Sequence, residues 1–407
     1  MDSRQAFARL LGAPEGRVAE LRAGAAVVWF GEPRKFMADL AAAAAKGGTV
    51  LLGSEAWGES ERRQLDALAA AAARTPASAL GQGWLGIPTG GSSGRLKIAR
   101  HDEETIGAAV RGFAAHFGLS PVNAAGVLPM HHVSGLMAWM RCALTGGEYR
   151  PLDWKEVEAG VMPRLANRPT GWTISLVPTQ LERLLRTGRT LEWLRQFRLV
   201  FLGGAPAAPA LLDRAASERL PLSLGYGMTE TAAMATGLKP EDFLGGRRDA
   251  GRALPHARVS IDGQGGIVVG GDSLFRGYWP DWREGDDYLT EDRGRLDAAG
   301  HLHVLGRRDA VIMTGGEKVD PAEVEEALRQ TGEFTEVLVA GLPDAEWGQV
   351  VVAAYPDTLR PDRTKVDAAL ARTLAPAKRP KRFVPISDWP VTEQGKVNRA
   401  EVVRRLR

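Results

Sequence analysis

The sequence predicts an α/β protein: a large N-terminal domain of stacked α/β subdomains plus a small β-subdomain, then a small α+β C-terminal domain. Three observations predict it. Between Gly126 and Gly225 short buried-type strands alternate with helical stretches, the pattern of a parallel sheet covered on both faces. After Arg252 the pattern changes to short strands split by Gly and Asp turns. From Gly306 a compact tail begins, with its own capped helix and strands. At 407 residues the chain exceeds one ordinary core, so it is divided here into 1–305 and 306–407.

Composition narrows the function classes. With 44% hydrophobic and 25% charged residues the chain reads as a globular protein. A net charge of +3 is too small to argue for nucleic acid, but it tolerates anionic ligands. The single cysteine, Cys142, cannot form a disulfide within the chain and reads as a small buried residue, so a cytoplasmic setting is expected. The first residues lack a signal-peptide profile, and no apolar run is long enough to span a bilayer, so no membrane insertion is expected. The oligomeric state is not legible.

In chain order, residues 1–80 are rich in alanine, with helices expected over 36–45 and 60–73 and a strand over 49–52; the alanine runs read as packing surface. Next comes Thr89-Gly90-Gly91-Ser92-Ser93-Gly94-Arg95-Leu96-Lys97. Glycines expose consecutive backbone N–H groups, hydroxyls add donors and Lys97 adds a charge, so the stretch is suited to cradle phosphate. It is not a Walker loop, which requires Lys and Ser/Thr directly after the last glycine. A flexible hairpin turn is the bland alternative. Asp102 is placed to cap a helix whose apolar face is Ile106, Val110, Phe113 and Phe117.

A strand over 126–129 runs into Met130-His131-His132-Val133-Ser134-Gly135. Ligands of open α/β sheets bind where strands end, so the paired histidines are candidates, although a histidine is as often a satisfied loop residue. Strands over 173–177, 198–202 and 222–225 follow. The second ends in Gly203-Gly204-Ala205, where a flat ring could approach the backbone. The third ends in a loop, Tyr226-Gly227-Met228-Thr229-Glu230, that joins a phenol, a hydroxyl and a carboxylate. In the tail, Asp320 and Pro321 start a helix, and Gly395 frees a turn that carries Lys396.

Taken together, TGGSSGRLK, GGAP, YGMTE, YLTED, GRRDAVIMTGGEKV and TEQGKVNR resemble, in order and spacing, the motifs of the adenylate-forming superfamily: acyl-CoA synthetases, luciferases and carrier-protein adenylation domains. The resemblance spans residues 89 to 399 and implies ATP, Mg²⁺ and coenzyme A as reactants or cofactors alongside a small-molecule acid. It implies that Thr89, Gly90, Gly91, Ser92, Ser93, Gly94 and Lys97 hold the departing pyrophosphate. Gly203, Gly204 and Ala205 would line adenine, with Tyr226 and Gly227 beside it. Thr229 would bond the α-phosphate and Glu230 would hold the metal. Asp292 and Arg307 would take the ribose hydroxyls, Lys396 would join the substrate carboxylate to the α-phosphate, and Asp309 would be the hinge of a mobile lid. Three positions depart from the family pattern: Gly90 for Ser, Leu96 for Pro, and Glu291 for Gly.

Within the superfamily, residues 128–135 with Arg141, and 175–181, look like the acyl pocket of 2-succinylbenzoate–CoA ligases of menaquinone and phylloquinone synthesis. That likeness nominates His131, His132, Ser134 and Arg141 for the substrate, with His132 also catalytic. Another aryl- or acyl-CoA ligase, a free-standing adenylation enzyme that loads a carrier protein, and a nucleotide-binding regulator without catalysis stay open as alternatives.

Overall fold

The structure is a computed structural model and describes residues 3–12, 25–74, 83–89, 96–392 and 397–406. Among the described residues four sheets follow one another along the chain. The first contains β1 (Ala25–Phe30), β2 (Thr49–Ser54), β3 (Leu85–Thr89) and β4 (Lys97–His101), in that spatial order. The first three strands are parallel and β4 runs back against β3. All six residues of β2 are buried, because helices cover this sheet. The helix Pro33–Lys46 starts where the Glu32 carboxylate accepts the amides of Arg34 and Lys35, and its run Ala41–Ala44 is buried. Small side chains there let the helix backbone approach the sheet, as the alanine runs predict.

The second sheet carries the functional loops. Its strands are β5 (Ala124–Gly126), β6 (Tyr149–Pro151), β7 (Thr173–Leu176), β8 (Leu199–Leu202), β9 (Leu222–Met228), β10 (Ala233–Gly237) and β11 (Arg252–Ala253). The spatial order is β11-β10-β9-β8-β7-β5-β6; the run from β6 to β9 is parallel and the two last strands turn antiparallel. Two boundaries differ from the sequence reading. The strand expected over 126–129 ends at Gly126; Val127 and Leu128 stay buried but leave the sheet. The strand expected to stop at Gly225 continues through Tyr226-Gly227-Met228, because it pairs with β10 as a hairpin. Gly227 is required there, since a Cβ would lie 1.7 Å from the Ala233 carbonyl oxygen.

The helix Glu103–Phe117 joins the first two sheets. Asp102 caps it through a reciprocal pair with Thr105, and Ile106, Val110 and Phe113 face the interior. The third sheet is an antiparallel meander of β12 (Ala257–Ile261), β13 (Gly266–Gly271), β14 (Asp287–Leu296) and β15 (Leu302–Arg307). The tail holds β16 (Ile312–Thr314), β17 (Glu317–Val319), β18 (Leu338–Asp344), β19 (Gly348–Pro356) and β20 (Arg382–Ile386). Its helix Pro321–Gln330 is capped by Asp320 and packs Val324 and Leu328 against Val339 and Val351. The α/β class and the division into a large first and a small second domain agree with the sequence reading. Among the described residues, no helix is long and apolar enough to cross a membrane.

Candidate active site

The carboxyl ends of β5, β7 and β8 share one edge of the second sheet, and their loops carry the predicted motifs. After β8, Gly203 is half-buried, and Gly204 and Ala205 are exposed. Gly204 has φ +83°, a conformation that favours glycine. Thr89 and Lys97 are cross-strand partners at the end of the β3–β4 pair. The cradle residues Gly90, Gly91, Ser92, Ser93 and Gly94 lie outside the described residues.

Glu230 is the centre of the described geometry. It is 7% exposed and sits in a short turn, Thr229–Thr231, between β9 and β10. The turn is followed by two non-glycine residues in the left-handed region, Ala232 at φ +50° and Ala233 at +82°. Such conformations cost ~1–3 kcal/mol each and cluster at functional sites. The Tyr278 hydroxyl donates to Glu230 Oε1 at 2.5 Å, and the Tyr288 hydroxyl lies 3.0 Å from that of Tyr278. Glu230 Oε2 has no hydrogen bond among the described residues, so one carboxylate oxygen remains for a hard divalent cation, which takes oxygen ligands. The Lys97 ammonium stands 5.4 Å from the centre of the Tyr278 ring.

A second phenol orders Asp292. Tyr226 donates to Asp292 Oδ2 at 2.7 Å, and Asp292 faces Arg307 across the β14–β15 register. Burial, then the Asp292 charge, raises the Tyr226 hydroxyl well above the usual phenol range. Burial and the Glu230 charge do the same to Tyr278. Both phenols are therefore donors throughout the physiological range. His101 fixes the turn from below: Nε2 lies 2.8 Å from the Thr229 carbonyl and donates to it, while Nδ1 faces the Thr105 hydroxyl at 3.0 Å. Burial lowers the His101 pKa to about 4, so the ring is neutral.

The four residues nominated for the acid are divided between two environments. His131 is fully buried, with its ring 5.4 Å from Phe30, 5.8 Å from Trp57 and 3.9 Å from His132. His132 and Ser134 are half-buried at the start of the helix Val133–Thr145. Arg141 lies about two turns further along that helix. It is 5% exposed, and its guanidinium stacks 3.8 Å from the Phe113 ring and 5.8 Å from Phe201. Arg141 has no carboxylate partner among the described residues, and its Nε has no hydrogen bond. Burial lowers its pKa to about 9. His256 lies in the same region, held by Nε2 to the Met234 carbonyl at 3.0 Å, and burial lowers it to about 4. It fits only because residue 112 is glycine: a Cβ there would lie 1.9 Å from His256 Nδ1.

Lys396 lies outside the described residues; Val391 and Val397, on either side, form a bridge. Asp309 lies in the short turn Arg308–Ala310 between β15 and β16. Tyr278 and His101 were not singled out from sequence, and Tyr288 and Thr290, whose hydroxyl lies 3.2 Å from that of Tyr226, were quoted only within the YLTED motif with no role. Tyr278 and His101 reach the site through strand register, and the signal available for Tyr278 was the aromatic spacing in Phe275-Arg276-Gly277-Tyr278-Trp279. The three metal-type ligands that cluster among the described residues, Asp249, Asp297 and His303, are elsewhere, and Arg247 already donates to Asp249 at 2.7 Å and to Asp297 at 2.6 Å. A cleft of ≈ 610 Å³ opens along the β6 edge between Arg34, Tyr149 and Met162, lined by none of the predicted site residues.

Comparison with known proteins gives the family and the fold. Residues 21–279 match the AMP-binding enzyme family, and residues 323–396 match the AMP-binding enzyme C-terminal domain. A 2-succinylbenzoate–CoA ligase of Listeria monocytogenes serotype 4b (strain F2365) is 33% identical over 285 residues, 68% of this chain and 60% of that one. An indoleacetate–CoA ligase of Aromatoleum aromaticum (strain DSM 19018 / LMG 30748 / EbN1) is 32% identical over 296 residues, covering 68% of this chain and 58% of that one. The matched stretch thus spans about three fifths of these relatives' length. In fold, the chain is similar to o-succinylbenzoate CoA synthetase of Bacillus subtilis in complex with its acyl-adenylate intermediate, with TM-score 0.75, 22% identity, and coverage of 98% of this chain and 91% of that one. It is also similar to ATP-bound MatB of Rhodopseudomonas palustris, with TM-score 0.80, 23% identity, and coverage of 100% and 99%.

Proposed function

We propose, since the chain belongs to the AMP-binding enzyme family, that it is an acid–CoA ligase that joins 2-succinylbenzoate to coenzyme A through an acyl adenylate. The observation that carries the substrate class is Arg141: a buried cation stacked on Phe113 with no acid partner among the described residues. Buried charges are normally paired, so this one fits the second carboxylate of an aromatic dicarboxylic acid. The curated ligases that the chain resembles support the same acid. The indoleacetate–CoA ligase supports the runner-up, an aryl monocarboxylic acid. Small molecules, namely the acid, ATP and coenzyme A, are the partners, in the cytoplasm and in the service of menaquinone or phylloquinone synthesis.

In the first half-reaction an oxygen of the reacting carboxylate bonds to the α-phosphorus of ATP, the bond to the β-phosphate oxygen breaks, and pyrophosphate leaves. Charge spreads over phosphoryl oxygens, so the residues work by positioning and electrostatic stabilisation. Thr229 donates to the α-phosphate, Lys396 bridges it to the carboxylate, and the cradle from Thr89 to Lys97 receives the pyrophosphate. Asp292 offers two acceptor oxygens to vicinal ribose hydroxyls, with Arg307 alongside. Glu230 would hold Mg²⁺, which when bound neutralises phosphate charge. His132 faces the reacting carboxylate. In the second half-reaction the coenzyme A sulfur bonds to the acyl carbon and AMP leaves. We place the junction between domain and lid in the turn that contains Asp309, so that rotation there withdraws Lys396.

The test is an acid panel scored by pyrophosphate release, with and without coenzyme A. 2-Succinylbenzoate should exceed benzoate and octanoate by at least ~100-fold in kcat/KM, because a site built for a buried charge rejects acids that lack it. Comparable turnover of benzoate or indoleacetate overturns the dicarboxylate reading. Turnover that does not need coenzyme A as acceptor overturns the ligase reading.

A further inference from the structure

We infer that Tyr278 is the positioning residue of Glu230: its phenol holds one carboxylate oxygen so that the other is presented to the divalent cation of the nucleotide. This rests on the ligase reading above and adds a residue to it. The geometry has three parts. Tyr278 Oη donates to Glu230 Oε1 at 2.5 Å, and Oε2 has no partner among the described residues. Tyr288 backs the phenol at 3.0 Å, so the Tyr278 proton is directed to Glu230 and the Tyr288 proton to Tyr278. The Lys97 ammonium lies over the same ring at 5.4 Å, which puts the rim of the phosphate cradle on one side of Tyr278 and Glu230 on the other.

The segment that carries Tyr278 is itself fixed, and nearly every tie goes to β4 or its cap. Trp279 N donates to the Ile98 carbonyl at 2.8 Å, Tyr278 bridges Ala99, and Arg276 N donates to the Arg100 carbonyl at 2.8 Å. The Arg276 guanidinium holds Asp102 at 2.7 Å and Glu104 at 2.7 Å. The Arg100 guanidinium lies 4.8 Å from Trp279 and 3.8 Å from Trp282 and donates to the Pro280 carbonyl at 3.2 Å. On the other side, Phe275 N donates to the Glu230 carbonyl at 2.8 Å. The strand that leaves the cradle and the turn that carries the acid are thereby tied through one ring. A hydrogen bond to the first oxygen restrains rotation of the carboxylate, and hydrogen-bonded partners of metal ligands typically set affinity by ~10–100-fold.

The experiment is binding, not turnover. Mn²⁺ is titrated into the protein with a non-hydrolysable ATP analogue and followed by electron paramagnetic resonance, and Mg·ATP is titrated by calorimetry. Tyr278→Phe should weaken Mn²⁺ binding by ~10-fold and raise the KM for Mg·ATP while leaving the KM for the acid unchanged. Tyr278→His, which keeps a ring N–H donor, should recover part of the loss and serves if the phenylalanine variant does not fold. Tyr288→Phe should shift binding in the same direction and by less. Equal Mn²⁺ affinity in wild type and a folded Tyr278→Phe overturns this inference alone. Absence of Mg·ATP binding by the wild type overturns the ligase reading and this inference with it.

Discussion

Two arginines in the large domain are almost fully enclosed, Arg100 at 2% exposed and Arg141 at 5%. Burial lowers both, Arg100 to about 10 and Arg141 to about 9. Their surroundings differ. Arg100 is answered by the protein: its Nε donates to the Gly83 carbonyl, another guanidinium nitrogen to Pro280, and two tryptophan rings flank it. Arg141 has a phenylalanine on its face, a second nearby, and no acid among the described residues. A buried cation whose hydrogen bonds are made within the chain acts as a brace. One without an acid partner among the described residues is what the proposed dicarboxylate site requires, and the contrast sets a brace against a candidate for the second carboxylate.

The contrast can be broken experimentally. Arg141→Met is expected to lower kcat/KM for 2-succinylbenzoate by at least ~100-fold, while the melting temperature of the ligand-free protein stays level or rises, because an unpaired buried charge is replaced by an apolar group of similar length. A fall in stability comparable to that of a core cavity would place Arg141 in the scaffold. Arg100→Met should do the reverse. Its loss of two carbonyl bonds and the tryptophan stacking is expected to destabilise by ~1–3 kcal/mol in denaturant titrations, with the preference for the dicarboxylic acid over benzoate retained. A changed preference would show that the brace reaches the acid site.

A smaller effect comes from pH, with one histidine on each side of the comparison. His101 under the Glu230 turn and His256 in the region of Arg141 both sit at about 4 when folded. Unfolded, each returns to ~6.5. Between those values the unfolded chain binds protons that the folded protein refuses. Stability is therefore full above pH ~6.5 and declines as pH falls toward 4, by up to about 1.4 kcal/mol per pH unit for each histidine. The Arg141 charge contributes to the depression of His256. Denaturant midpoints measured between pH 4 and 7 should thus fall less steeply in Arg141→Met than in wild type. Parallel slopes would separate His256 from Arg141.

Much of this was legible in the sequence because it is local. Strand–helix alternation, the Asp102 and Asp320 caps, and the glycines after β8 each report on their own few residues. What was missed depends on register between distant strands. Tyr278 meets Glu230 across 48 positions and His101 meets Thr229 across 128. Nothing in Tyr-Gly-Met says that β9 continues until β10 is there to pair with it. Arg141 was legible as a candidate but not in its placement, since its helix buries it beside Ala138 and Cys142, on a face where an arginine is not expected.

The contact between Gly112 and His256 dictates an order of events. A methyl group at position 112 collides with a ring that is held at its far nitrogen by Met234, so alanine at 112 is excluded while histidine occupies 256. Once position 256 carries a smaller side chain, the same alanine is free to enter and even helps the helix. The two sites are therefore epistatic in sign: a lineage or a mutant library can fill position 112 only after it has given up His256, and it can regain His256 only after position 112 has returned to glycine.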